Sequence, residues 1–241
     1  MESRERGGWV GLTASVNYGI DADRVLAVDA PLQAVARRID GRYAVDEFGG
    51  DPHLQDMVLP IALAGLRFEV EHGERIPRHG PALLVANRSF AVGSFEPAVL
   101  VAAVRRVARR RLRVFGVPEL PIAGVWLHKL GSIGRRPHDV ATLLRAGHLA
   151  VAPLAPTWVR SAPGDPPRGL LAATLGFPVV PLAVTPGGPL GTPFGTWRVA
   201  VGEMLAPPAG TRPGDQLAAA ELAEQVRSAI RDLLEQTRAA S

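Results

Sequence analysis

The sequence predicts an α/β domain: a mixed, largely parallel sheet flanked by helices. Short β-like apolar runs alternate with helical stretches from residue 67 onward, the pattern of strand and crossover helix. One of those helices, 97–109, is apolar almost all round and reads as a buried crossover. With 241 residues and 47% hydrophobic content, the chain is long and apolar enough to close a substantial core around such a sheet.

In chain order, residues 1–29 carry scattered glycines and charges with little periodicity, and read as a poorly ordered lead-in. Leu32, Val35 and Ile39 recur at helical intervals behind Asp29 as cap and Pro31 in the first turn, so a short amphipathic helix is expected over 31–39. The Gly- and Asp-rich stretch 46–56 is a break, followed by a helix over 54–63 despite Pro60. Strands are expected at 67–70, 82–86, 111–115, 132–134, 149–153, 179–184 and 197–201, with further helices at 138–146 and 170–175. Leu217, Leu222, Val226, Ile230 and Leu233 mark a C-terminal amphipathic helix. The Pro/Gly-rich pieces 161–169, 185–195 and 206–214 read as surface loops within one domain. The organisation expected is an N-terminal extension over 1–55, bearing a short helix, and a main domain over 56–241.

Composition narrows the chemistry. There are no cysteines, which excludes thiolate metal sites, a cysteine nucleophile and a disulfide framework. The N-terminus has no apolar stretch of the kind a secretory signal needs, and no segment reaches the ~20 apolar residues of a membrane span. A cytoplasmic protein is expected, soluble or peripheral on the inner face of a membrane. The net charge is +4, and Lys129 is the sole lysine among 27 basic residues. Arginine suits phosphate groups, although a biased genome composition explains the same excess. The few aromatics are not interleaved with the arginines, so no nucleic acid is expected as a partner.

Residues 66–206 carry an ordered set of short patterns. The first is Phe68-Glu69-Val70-Glu71-His72-Gly73-Glu74-Arg75-Ile76-Pro77, leading to the strand Pro81-Ala82-Leu83-Leu84-Val85-Ala86-Asn87. The second is Glu119-Leu120-Pro121, Gly124 and then Leu130-Gly131-Ser132-Ile133-Gly134-Arg135-Arg136. The third is Gly169-Leu170-Leu171-Ala172 with Gly176-Phe177-Pro178-Val179-Val180-Pro181. In order and spacing this set resembles the lysophospholipid and glycerol-phosphate acyltransferase family. The resemblance implies an acyltransferase acting in phospholipid biosynthesis: an acyl group would pass from a thioester donor, acyl-CoA or acyl-carrier protein, to a lysophospholipid or related hydroxyl acceptor. No metal and no further cofactor are implied.

The chain departs from the family at the chemistry. The family's HxxxxD histidine, a general base oriented by the aspartate, is replaced by Arg88, and the same spacing lands on Gly93; a three-residue insertion would bring Glu96-Pro97 to the Asp-Pro position. A guanidinium is no base near neutral pH. The family's Phe-Pro-Glu-Gly-Thr motif falls on Ala152-Pro153-Leu154-Ala155-Pro156-Thr157, with Leu154 where the glutamate should be. Arg135 or Arg136 stands at the family's phosphate-binding arginine position. The resemblance therefore implies Arg88, Arg135, Arg136 and Thr157 as substrate-binding positions and leaves Glu96 as the local base. It equally allows a catalytically inactive lipid- or acyl-binding member with a degenerate active site.

Each residue has a structural reading beside the functional one. Arg88 is an anion clamp, or an arginine paired with Glu96; Glu96 is a base, or a helix-capping carboxylate. Ser89 has no local base to activate it. His53, His72, His79, His128, His138 and His148 follow no metal-ligand or dyad spacing; His128 and His148 stand nearest the motifs and read first as structural. Arg105, Arg106, Arg109, Arg110, Arg111 and Arg113 form the densest charge cluster. It sits at a helix end, opposing the dipole, or docks on anionic membrane at about 1 kcal/mol per residue, with the apolar run 57–66 beside it.

Overall fold

A computed structural model describes residues 46–87, 95–115, 127–133, 136–154, 166–186, 195–207 and 210–239; side chains at 166–168 are not among those described. These residues belong to a compact unit running Arg42–Ser241. The helix expected over 31–39 lies outside them.

The elements are α1 (Pro52–Leu63), β1 (Arg67–Glu71), a 3-10 turn (Gly73–Arg75), β2 (Ala82–Ala86), α2 (Glu96–Ala108), β3 (Leu112–Phe115), β4 (Ser132–Ile133), α3 (Pro137–Arg145), β5 (Leu149–Pro153), α4 (Pro166–Thr174), β6 (Val179–Thr185), β7 (Thr196–Val201) and α5 (Gln216–Ala239). The sheet is seven-stranded, in the order β1-β7-β6-β2-β5-β3-β4. Strands β6, β2, β5, β3 and β4 run parallel, β7 runs antiparallel to β6, and β1 pairs parallel with β7. The mixed, largely parallel α/β sheet expected from the sequence is the one observed.

Local chemistry sets the element ends. Asp51 caps α1, its carboxylate accepting from the Leu54 N–H at 2.9 Å, and Pro52 occupies the first turn, where no N–H is needed. Pro60 falls in the last turn of α1, so it costs one helical hydrogen bond and the helix stops at Leu63. Helix α2 ends because Arg109 turns left-handed, at φ 54°. Helix α4 begins at Pro166, inside the stretch 161–169 expected as a loop; prolines 166 and 167 fit a first turn, which is why a Pro-rich run there is not necessarily loop. Asp215 opens α5 by accepting from the N–H groups of Leu217 and Ala218.

The sheet is buried on both faces. On one, α1 and α2 cover Leu84, Leu112, Val151, Leu182 and Trp197; on the other, α3, α4 and α5 cover Leu83, Val85, Phe115, Ala150 and Val179. Each fully buried Leu, Val or Phe adds about 1.5–3 kcal/mol before conformational entropy is subtracted. This two-sided burial explains why β2 and β5 read as continuous apolar runs.

Gly202, just past β7, leaves no room for a side chain between β6 and α5. A Cβ there would lie 2.7 Å from Pro181 Cγ and 3.2 Å from both Leu233 Cδ1 and the Pro181 carbonyl oxygen. Gly202→Ala is expected to lower stability by about 1–3 kcal/mol, the cost of overpacking, measured as a lower urea midpoint at unchanged m-value.

Candidate functional site

The order of the sheet fixes where a site can form. β2 and β5 are neighbours, yet the chain leaves β2 for α2 on one face and leaves β5 for α4 on the other. By topology the carboxyl ends of the two strands form the switch point of the sheet, outside which open α/β sheets bind ligands in a crevice. Ala86 and Asn87 end one strand; Pro153 and Leu154 end the other.

Asn87 is fastened to β6. Its Nδ2 donates to the Val184 carbonyl at 3.2 Å and its Oδ1 accepts from the Val184 N–H at 2.7 Å, while its own N–H donates to the Leu182 carbonyl at 3.3 Å. The side-chain amide thus extends the ladder between β2 and β6 past the end of β2. At the end of β5 the Leu154 N–H donates to the Ala86 carbonyl at 2.7 Å, and the Leu154 side chain, 7% exposed, packs into the apolar cluster beneath α4 and α5. Position 154 serves the core.

Glu96 is the first residue of α2, with one carboxylate oxygen shielded from solvent. Arg136 is exposed at the cap of α3. Helices α2, α3 and α4 all begin at this carboxyl edge, so the positive ends of three helix dipoles face it and favour anionic groups. Arg88, Ser89, Arg135 and Thr157 lie outside the described residues. A cavity of about 520 Å³, lined by Glu69, Thr185, Pro186, Thr196 and Arg198 among others, opens beside the carboxyl end of β6, one strand from β2.

The histidines separate by edge. His128 Nδ1 donates to the Ser132 carbonyl at 3.0 Å, at the start of β4, so it is a satisfied structural residue away from the crevice. His148 precedes β5 at the amino edge and meets Phe48 edge-to-face, with centroids 5.6 Å apart. Burial, then the positive charge of Arg113, holds its pKa below 6.5, Glu47 opposing weakly. Its unfolded form therefore binds a proton more readily than its folded form, and stability should fall as pH drops from about 7 through that lowered value. His148→Phe is expected to flatten this slope in urea titrations at stepped pH. His138, exposed in the first turn of α3, is the histidine among the described residues that the topology places at the carboxyl edge. Its position one residue past Arg136-Pro137 was its only sequence signal.

The arginine cluster lies at the opposite, amino edge. Arg105 and Arg111 both bind Asp56, at 3.0 and 2.6 Å, and Arg113 binds Asp46. Burial pushes the Asp56 carboxyl up, but hydrogen bonds from Arg111 and Arg105 outweigh it and leave it below the ordinary value. Arg106 stacks on Phe68 at 5.4 Å. Arg105 and Arg106 occupy the last turn of α2, the helix-end placement expected of this cluster.

The fold defines an open α/β protein whose mixed, largely parallel sheet is covered by helices on both faces. The chain belongs to a family with mycobacterial members. The Uncharacterized protein Rv0502 of Mycobacterium tuberculosis is 30% identical over 93% of this chain and 78% of its own length. The Uncharacterized protein ML2427 of Mycobacterium leprae is 28% identical over 87% of this chain and 75% of its own. No protein-family model matches. The crystal structure of PlsC from Thermotoga maritima, a 1-acyl-sn-glycerophosphate acyltransferase, aligns at TM-score 0.49 and 17% identity over 88% of this chain and 93% of that one. Nothing about activity follows from a likeness of that size. No helix among the described residues is long and apolar enough to cross a membrane.

Proposed function

We propose that the protein transfers an acyl group from a thioester donor, acyl-CoA or acyl-carrier protein, to the hydroxyl of a lysophospholipid or related glycerolipid in the switch-point crevice. The observation that carries this reading is convergence: Asn87, leading to position 88, Glu96, Leu154 and Arg136 come from four separate motif positions, and all stand at the carboxyl edge. In the reaction, Glu96 takes the proton of the acceptor hydroxyl as its oxygen attacks the thioester carbonyl. The tetrahedral oxyanion then collapses, the C–S bond breaks, and the thiolate leaves and picks up a proton. Arg88, Arg135 and Arg136, with Thr157, hold the anionic headgroup or the oxyanion, supported by the helix N-termini. The cavity beside β6 offers space for the acceptor.

A second reading, a catalytically inactive lipid- or acyl-binding protein, is favoured by Leu154, whose side chain is committed to the core where the resembled family carries a glutamate. Under either reading the protein works peripherally at the cytoplasmic face of an anionic membrane. Ile61, 65% exposed at the end of α1, supports that contact. The deciding experiment is thiol release from acyl-CoA with a panel of lysophospholipids. Acceptor-dependent release supports transfer; saturable lysolipid binding without release supports the binder; neither one removes both.

A further inference from the structure

The amino edge of the sheet holds a cavity of about 630 Å³ lined by Arg105, Arg109, Arg110, Arg111 and Arg113, with Asp46, Asp56 and His148. Five guanidinium groups against two carboxylates leave an excess of three positive charges, His148 counted neutral. Gathering like charges in a concave wall is costly unless something compensates it, and the pairs present do so only in part. Asp56 is shared by two arginines and Asp46 is used by one. Arg110 is braced by carbonyls alone, of Pro77, Gly80 and Gly147, so it is oriented without being neutralised. Arg109 makes no hydrogen bond or ion pair with the described residues. Arg113 is 3% exposed, and its Nη1 is buried without a hydrogen-bond partner. Burial first, then the charges of Arg113, Arg110 and Arg111 against that of Glu47, hold the His148 pKa below its ordinary value, so the ring adds no positive charge of its own at neutral pH.

We infer that this cavity is a binding site for a phosphate- or diphosphate-bearing small molecule or headgroup, separate from the switch-point crevice and independent of the acyl-transfer reading. A dianionic or more highly charged group matches the excess charge, where a single carboxylate would not, and guanidinium forks suit its oxygens. The volume lies in the range of small-molecule pockets and exceeds the need of a bare phosphate.

The test is calorimetric titration of the full chain with inorganic pyrophosphate and with inorganic phosphate at matched ionic strength, beside co-sedimentation with phosphatidylcholine vesicles with and without phosphatidic acid. Saturable pyrophosphate binding is expected, weakened at least about tenfold by Arg109→Gly and by Arg111→Gln, the loss of one charge-assisted contact. Arg109 has a left-handed backbone that glycine prefers, so Arg109→Gly should not lower the melting temperature, which separates lost binding from lost folding. Arg106→Gln removes the same charge outside the cavity and should leave binding intact. Vesicle binding that needs phosphatidic acid, depends on Arg109 and is displaced by pyrophosphate assigns the phosphate to a lipid headgroup and still supports the site. No saturable binding by either probe, binding that Arg109→Gly and Arg111→Gln leave unchanged, or binding that Arg106→Gln weakens as much as they do, overturns the proposal.

Discussion

Replacing Glu96 by glutamine is expected to reduce acceptor-dependent thiol release by about 10²–10⁴-fold while leaving lysophospholipid binding within a few-fold, because it removes only the proton acceptor. The substitution keeps the volume of the side chain and its place in the first turn of α2, so the helix start should survive. The Asn87 clamp onto Val184 belongs to a different element and fixes the crevice wall independently. The loss should therefore appear in kcat, with KM little changed, which is the pattern of an interaction made in the transition state. His138→Gln is the parallel variant: the topology brings its ring to the same edge, on α3. If His138→Gln removes activity and Glu96→Gln does not, the base is reassigned to His138 and the acyl-transfer reading stands. If neither variant changes a measurable rate, proton abstraction by the chain's own carboxylate or imidazole at this edge is wrong.

The fold was legible where burial made the sequence monotonous. Strands 82–86 and 149–153 are apolar runs that open after Pro81 and shortly after Gly147, and they lie at the centre of the sheet, where both faces are covered. The start of α1 was expected at 54 and lies at Pro52, because Asp51 caps the helix inside a stretch whose glycines and aspartates read as a break, and the loop expected over 161–169 was partly wrong because proline both breaks helices and begins them. Long-range pairing left no local trace. Asn87 and Val184 are 97 residues apart, and Asp46 and Arg113 are 67 apart; no spacing rule connects them. The same holds for strand order, which alone reveals that β2 and β5 diverge and that the arginine cluster and the motif positions lie at opposite edges. Arginine density was visible in the sequence. That it lines a cavity with His148 and Asp46 depends on the segment before α1 reaching the start of β3.

Asp46→Ala is expected to destabilise the domain by about 3–5 kcal/mol, measured as a lower urea midpoint at unchanged m-value, the cost of leaving a buried charge without its partner. Arg113 sits on β3, almost fully shielded, with Asp46 as its carboxylate; burial already pulls its pKa down without neutralising it at neutral pH. Glycine at position 50 is part of the arrangement, since a Cβ there would run into the guanidinium. Asp46 also accepts from the N–H groups of Phe48 and Gly50, at 3.1 and 2.8 Å, so the variant loosens the turn that brings Phe48 against His148. A second substitution separates the two contributions. Asp46→Ala with Arg113→Met removes the stranded charge and fills its volume, so it should recover most of the loss; what remains is the turn. A double variant as unstable as Asp46→Ala alone would locate the whole cost in the turn and show that the ion pair adds nothing. The recovered protein should also lose pyrophosphate binding if the amino-edge cavity needs Arg113, whereas thiol release at the opposite edge should persist.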